Sequence, residues 1–115
     1  MSVLLTTRIV GDVTIIDCAG RITLGEGAGS LREKISELAA SNHKKVILNL
    51  AETSYIDSVG IGELMSGFTR LSNLGATLKL LALTDRVQNL LQITGLYSCF
   101  DVFEDENAAV RSFSE

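Results

Sequence analysis

The chain has 115 residues, enough to bury one core without disulfide or metal staples. A hydrophobic fraction of 46% against a charged fraction of 21% describes a globular domain and excludes a disordered one. The net charge is −4, Trp is absent, and no basic cluster extends beyond Lys44-Lys45, which argues against nucleic acid as a partner.

The opening Met1-Ser2-Val3-Leu4-Leu5 lacks the basic region of a signal peptide, and Arg8 interrupts the apolar stretch. No apolar run reaches the length that crosses a bilayer, so direct membrane insertion is not expected. Cys18 and Cys99 lie far apart in apolar surroundings and read as a reduced, buried pair. These features point to the cytoplasm. Pro is absent, so Gly must supply most of the turn chemistry.

Residues 3–10 and 13–20 read as strands, and Gly11-Asp12 between them has the signature of a tight hairpin. A Gly-rich segment follows from Gly20 to Gly29. Ser30-Leu31-Arg32-Glu33 has capping-box spacing, which predicts a helix from Ser30 to about Ala40 with Leu31, Ile35 and Leu38 on its apolar face. The third strand is expected over 45–50, with Val46, Leu48 and Leu50 facing one way. A second helix begins near Ser58, carries Ile61, Leu64, Met65, Phe68 and Leu71 on one stripe, and ends at Asn73-Leu74-Gly75. Residues 76–82 form a fourth strand. Thr84 or Asp85 caps a third helix that stops near Gly95. A short strand around 99–103 and a helix from about 105 to 113 complete the chain.

The order ββαβαβαβα implies a mixed α/β sheet with parallel neighbours in one domain spanning 1–115. Asn49 and Lys79 alternate with the most apolar positions of their strands. The helices should therefore gather mainly on one face, unlike a doubly wound fold.

The catalytic inventory is thin. His43 is the only histidine, and beside Lys44 and Lys45 it reads as a solvated loop residue. Without it no Ser/His/Asp or Cys/His arrangement can be assembled, and the cysteines lack metal-ligand spacing. Gly25-Glu26-Gly27 is half of a dinucleotide fingerprint, but position 30 is Ser and no P-loop Lys follows. Asp101, Glu104, Asp105 and Glu106 read as first-turn acids of the last helix. A binding protein without a cofactor is expected, not an enzyme.

The most informative stretch is Tyr55-Ile56-Asp57-Ser58-Val59-Gly60-Ile61-Gly62. Asp57 and Ser58 are good capping residues, and capping alone could explain them. Gly60 and Gly62 in a helix's first turns cost about 1 kcal/mol each relative to Ala. That cost makes sense where another surface must approach the backbone. A helix N-terminus also tolerates added negative charge, so a phosphate on Ser58 need not unfold the domain.

These residues resemble the STAS-domain anti-sigma factor antagonists of bacteria. The resemblance rests on Gly20-Arg21-Ile22-Thr23-Leu24, Val46-Ile47-Leu48-Asn49-Leu50, the Tyr55–Gly62 stretch and Ile93-Thr94-Gly95-Leu96, and it covers nearly the full chain. It implies a mixed sheet with helices on one side. It further implies that the unphosphorylated form binds an anti-sigma factor that is also a serine kinase, freeing a sigma factor. Phosphorylation ends that binding, and a PP2C-type phosphatase restores it. Carried over, Ser58 matches the phosphoacceptor and Asp57 its acidic neighbour. Gly60 and Gly62 match small residues of the docking surface, with Val59 just before them and Leu24, Gly25 and Glu26 in the loop beside it. Many members carry a second hydroxyl where this chain has Val59, which leaves Ser58 the sole acceptor inside the motif. The resemblance leaves a homodimer open. It also leaves an alternative: a STAS subunit docked on the ATPase of a membrane transport complex that moves lipid.

Overall fold

In the computed structural model, which describes residues 3–25 and 27–114, the chain opens with the expected hairpin. Strands β1 (Leu4–Val10) and β2 (Val13–Ile22) pair antiparallel through a turn in which Gly11 takes φ +63°. The positive φ is available to glycine at no steric cost, which is why this position closes the hairpin. Helix α1 (Ala28–Ala40), β3 (Lys45–Ile56), α2 (Ser58–Asn73), β4 (Thr77–Leu81), α3 (Asp85–Ile93), β5 (Val102–Phe103) and α4 (Glu106–Ser112) follow, with a single 3-10 turn at Tyr97–Cys99.

The strands lie in sequence order β1-β2-β3-β4-β5, and every pair after the hairpin is parallel. Because the order never reverses, right-handed crossovers put α1, α2 and α3 on the same face. That face carries the main core, built from Ile16, Leu48, Leu78 and Leu80 of the sheet against Leu31, Ile35, Leu64, Leu71, Val87 and Leu91 of the helices. Phe68 and Phe100 meet edge-to-face at 5.3 Å between ring centroids, closing its rim.

The other face is covered by α4. Val13, Ile15, Ile47 and Leu81 form a small second core with Ala109, Val110 and Phe113. Around it runs a polar belt. The Arg8 guanidinium donates to Asp17 at 2.6 Å and to Glu106 at 2.6 Å, and Asn49 Nδ2 donates to Asp17 at 2.7 Å. Lys79 is only 8% exposed, yet its amine donates to Ser112 Oγ at 2.7 Å and lies 4.3 Å from the centre of the Phe113 ring. The acids of the last helix thus do more than fill its first turn: Asp105 caps it by accepting from Ala108 N–H, and Glu106 ties it to β1.

The element order and the predominantly one-sided helix packing agree with the sequence reading; β2 ends at Ile22 and not 20, β5 starts at Val102 and not 99, and four further details differ. First, α1 starts at Ala28 with Gly27 as its cap, so Ser30 lies inside the helix and forms no capping box. Gly27, at φ +98°, sits where a Cβ would lie 2.3 Å from the Arg21 carbonyl oxygen, so backbone packing against β2 sets the helix start. Second, β3 runs on to Ile56, not 50, because its ladder with β2 continues across two register shifts that break the alternation of buried and exposed residues.

Third, Cys99 is exposed, while Cys18 is buried and its thiol is pushed up to about 12, chiefly by burial. The 3-10 turn explains the difference, since it turns Phe100 inward in place of its neighbour. Fourth, His43 is half-buried and not simply solvated; its Nδ1 lies 2.7 Å from Thr14 Oγ1.

The Arg8 belt makes stability depend on pH. Hydrogen bonds from Arg8 are the largest influence on both Asp17 and Glu106 and hold their carboxyl groups below the usual range, against the opposing effect of burial. A carboxyl lowered by folding contributes stability above its unfolded value, about 4 for Asp and Glu, and loses it as pH falls through the lower folded value. Arg8→Met should therefore destabilise the protein more at pH 7 than in acid below the folded values. Urea unfolding midpoints of both proteins across that window test this; an equal gap at both ends would show that the belt is not the pH-dependent element.

Candidate functional site

The site is assembled where β2 and β3 end at the same edge of the sheet. After Ile56 the chain leaves the strand, and Asp57, with extended backbone, becomes the N-cap of α2. One oxygen of its carboxylate accepts from Gly60 N–H at 2.9 Å, the ordinary capping bond. The other accepts from Leu24 N–H at 3.1 Å, 33 residues away in sequence. Asp57 N–H in turn reaches the Ile22 carbonyl at 3.4 Å. A single side chain thus starts the helix and clasps the β2–α1 loop against it. These backbone donors, Gly60 first, hold the Asp57 carboxyl below the ordinary carboxylate range.

Ser58 is the first residue of α2 and is exposed, with no hydrogen bond to its hydroxyl among the described residues. Gly62, one turn later on the same side of the helix, is exposed and has nothing within 4 Å of where a Cβ would stand. The approach to Ser58 is open. Val59 points to a shallow groove that also receives Leu24, Gly25, Gly27, Arg32 and Glu63. Leu24 is 75% exposed and Val59 36%, so apolar side chains flank the hydroxyl on a surface that the Arg32–Glu63 ion pair borders at 3.3 Å.

The structure therefore brings Asp57, Ser58, Val59, Gly62, Leu24 and Gly25 to one surface. Gly60 is different. It is buried, and a Cβ there would lie 2.0 Å from the Ile22 carbonyl oxygen and 2.6 Å from Ile56 Cγ1. The surface that approaches this glycine is the protein's own β2, so Gly60 serves the fold and not an exposed docking face. Glu26 lies outside the described residues. Arg32 and Glu63 were not anticipated from sequence; nothing in their spacing signals that two helices place them together.

His43 sits at the other end of the strands, beside Thr14 near the start of β2. Eight residues of strand separate Thr14 from Ile22, roughly 25 Å at about 3.3 Å per residue. No imidazole can reach Ser58 from there. Each oxygen of the carboxylate beside Ser58, Asp57, accepts a backbone N–H. The hydroxyl is thus accessible, with no histidine in reach to activate it.

Comparisons with known proteins agree with this geometry. The sequence profile of the STAS domain matches residues 5–109. The anti-sigma-B factor antagonist of Bacillus subtilis is 33% identical over 96 residues, covering 84% of this chain and 86% of that protein. Among solved structures, an anti-sigma factor antagonist from Mycobacterium paratuberculosis superposes with a TM-score of 0.89 at 18% identity, covering 99% of this chain and 96% of that one. The anti-sigma factor antagonist SpoIIAA of Bacillus has been solved in unphosphorylated and phosphorylated forms; both are 20% identical to this chain, with TM-scores of 0.82 and 0.75. Each covers 96% of this chain, and this chain covers 96% and 99% of them. The structural likeness establishes the same fold.

The two glycines of the motif should respond in opposite directions. Gly60→Ala forces backbone apart and should cost about 2–4 kcal/mol. Gly62→Ala enters open space on a helix and should stabilise by about 0.5–1 kcal/mol. Denaturant midpoints measure both, and a tolerated Gly60→Ala would mean that β2 does not pack on it. From its sequence profile and its curated relative, this chain belongs to the STAS domain family and is a homologue of the anti-sigma-B factor antagonists.

Proposed function

We propose that this protein is a phosphorylation-switched anti-sigma factor antagonist, acting in the cytoplasm by binding and not by catalysis. In its unphosphorylated form it binds an anti-sigma factor that is also a serine kinase, and so releases a sigma factor. The kinase phosphorylates Ser58, binding is lost, and a PP2C-type phosphatase resets the switch. The observation that carries this reading is the open Ser58 hydroxyl at the first position of α2, between a clasped acid and exposed Leu24 and Val59. The family relationship supports the class of partner, and SpoIIAA supplies a precedent for a phosphorylated form of this fold.

The magnitudes suffice. A phosphate adds about −1.5 to −2 charges at pH 7. Placed beside Asp57, it would bring charge and bulk into a contact that Leu24 and Val59 make apolar. Weakening a complex by two to three powers of ten takes about 3–4 kcal/mol. One desolvated phosphate without a partner is enough to supply that. The fold itself should survive, because the added charge lies at the helix's positive end and outside the core.

Phosphotransfer from ATP by the cognate kinase should label the wild type and leave Ser58→Ala unlabelled. Labelling of the alanine variant at the wild-type level, with the site mapped by mass spectrometry, would move the acceptor elsewhere. Calorimetry on Ser58→Asp should show weaker kinase binding than the wild type. Unchanged affinity there would rule out charge exclusion as the mechanism.

A further inference from the structure

A second surface is formed at the ends of the same two strands. In the parallel ladder, Arg21 at the end of β2 is the register partner of Tyr55 at the end of β3. The Arg21 guanidinium lies 5.4 Å from the centre of the Tyr55 ring, and the guanidinium of Arg86, from the first turn of α3, lies 5.1 Å from the same centre. Two cations share one aromatic ring. Both arginines are exposed, and among the described residues neither has a carboxylate or hydrogen-bond partner. Asp85 is next to Arg86 in sequence but makes no ion pair with it.

Among the described residues Arg8, Arg32, Lys34, Lys45 and Lys79 lie within ion-pair reach of acids, whereas Arg21 and Arg86 do not; what distinguishes them is the aromatic ring they share. Cation–π contact with Tyr55 holds the two guanidiniums near one another, which lowers the ordering cost when a carboxylate arrives. The ring and both arginines line one groove with Ser54, whose hydroxyl is turned to the Gly20 carbonyl at 3.3 Å.

The surroundings favour a protein over a small anion. Along α3 the same exposed side continues from Arg86 to Asn89 and Leu90, which border a groove with Tyr55, and then to Ile93, 81% exposed. Arg and Tyr beside an exposed aliphatic patch is the composition of a protein interface. The patch and Ser58 are close in chain and register: Tyr55 is three residues upstream of Ser58, and Arg21 precedes Ile22, the register partner of Ile56.

The geometry points to Arg21, Tyr55 and Arg86 as a docking surface for an acidic segment of the anti-sigma partner, with carboxylates received by the two guanidiniums and apolar contact made by Leu90 and Ile93. The identity of that partner rests on the function proposed above; the carboxylate chemistry does not. Charge pairing of this kind sets encounter rate and choice of partner as well as affinity.

Two measurements test it on the full chain. First, a short polyglutamate peptide is titrated while the Arg21 and Arg86 Nε–H and Tyr55 ring signals are followed by NMR. Saturable shifts confined to these groups are expected, and they should vanish in Arg21→Glu/Arg86→Glu. Second, affinity for the cognate kinase is measured by calorimetry. The double reversal should weaken it by about tenfold or more, and the wild-type affinity should fall as salt rises. Arg21→Lys/Arg86→Lys keeps the charge and loses the guanidinium fork, so it should fall between the two. Arg86→Gln, on an exposed helical turn, provides a variant that folds if the reversal does not, and it too should weaken both interactions.

Peptide binding without kinase binding by the wild type would overturn the choice of partner and leave the acidic-segment surface standing. Kinase binding that is equal in wild type and double reversal, at low and high salt, overturns the docking surface while leaving the Ser58 switch intact. Saturation by inorganic phosphate but not by the peptide also overturns it, since the pair would then be a small-anion site.

Discussion

Much of this molecule's functional surface depends on one carboxylate. Asp57 accepts from Gly60 N–H with one oxygen and from Leu24 N–H with the other. The first bond sets where α2 begins, and so puts Ser58 at its first exposed position. The second draws in the β2–α1 loop, and so puts Leu24 beside that hydroxyl. Removing the first bond would cost the helix its cap and removing the second would loosen the loop, while the strand register and the Asp57 N–H bond to Ile22 remain. An acid next to the candidate acceptor is therefore needed for architecture before any role in recognition is considered.

The clasp works because the parallel strands end together. Ile22 and Ile56 are register partners, and the segments leaving them start side by side. Gly60 completes the junction by letting the first turn of α2 press on the Ile22 carbonyl. The contact accounts for the helical glycine without invoking a partner. Gly62 has no such contact, and its exposed position one turn after Ser58 is the one that leaves room for another molecule. Two glycines that look equivalent in sequence divide the work between fold and surface.

Element order, the amphipathic stripe of α2, the caps at Asp57 and Thr84 and the one-sided helix layer were all legible from sequence, because each is written in local spacing or in strand order. What escaped depends on residues far apart. The Asp57–Leu24 bond spans 33 positions, and the Arg8–Glu106 bond spans 98. The extension of β3 beyond Leu50 follows from register shifts in its neighbour and leaves no alternation to read. The Ser30–Glu33 spacing misled because capping chemistry is local, whereas the start of α1 is set by Gly27 packing on β2. The surface residues Ser58, Asp57 and Leu24 could be picked out in sequence; their shared location and the separate role of Gly60 could not.

The elements that stabilise the fold lie apart from the residue proposed as the switch. The belt that ties α4 to the sheet, from Arg8 through Asp17 to Asn49, lies on the face away from α1, α2 and α3. The main core is sealed beneath those helices and reaches the site through buried residues that include Ile22, Ala28, Ile56 and Ile61. Ser58 stands outside both. A charge added there meets solvent and the positive end of a helix, not the core, so its largest effect is on whatever surface presses against Leu24 and Val59. A switch that must be set and reset many times is best placed where changing its charge leaves the folded state nearly unchanged. The first exposed position of a clasped helix meets that condition.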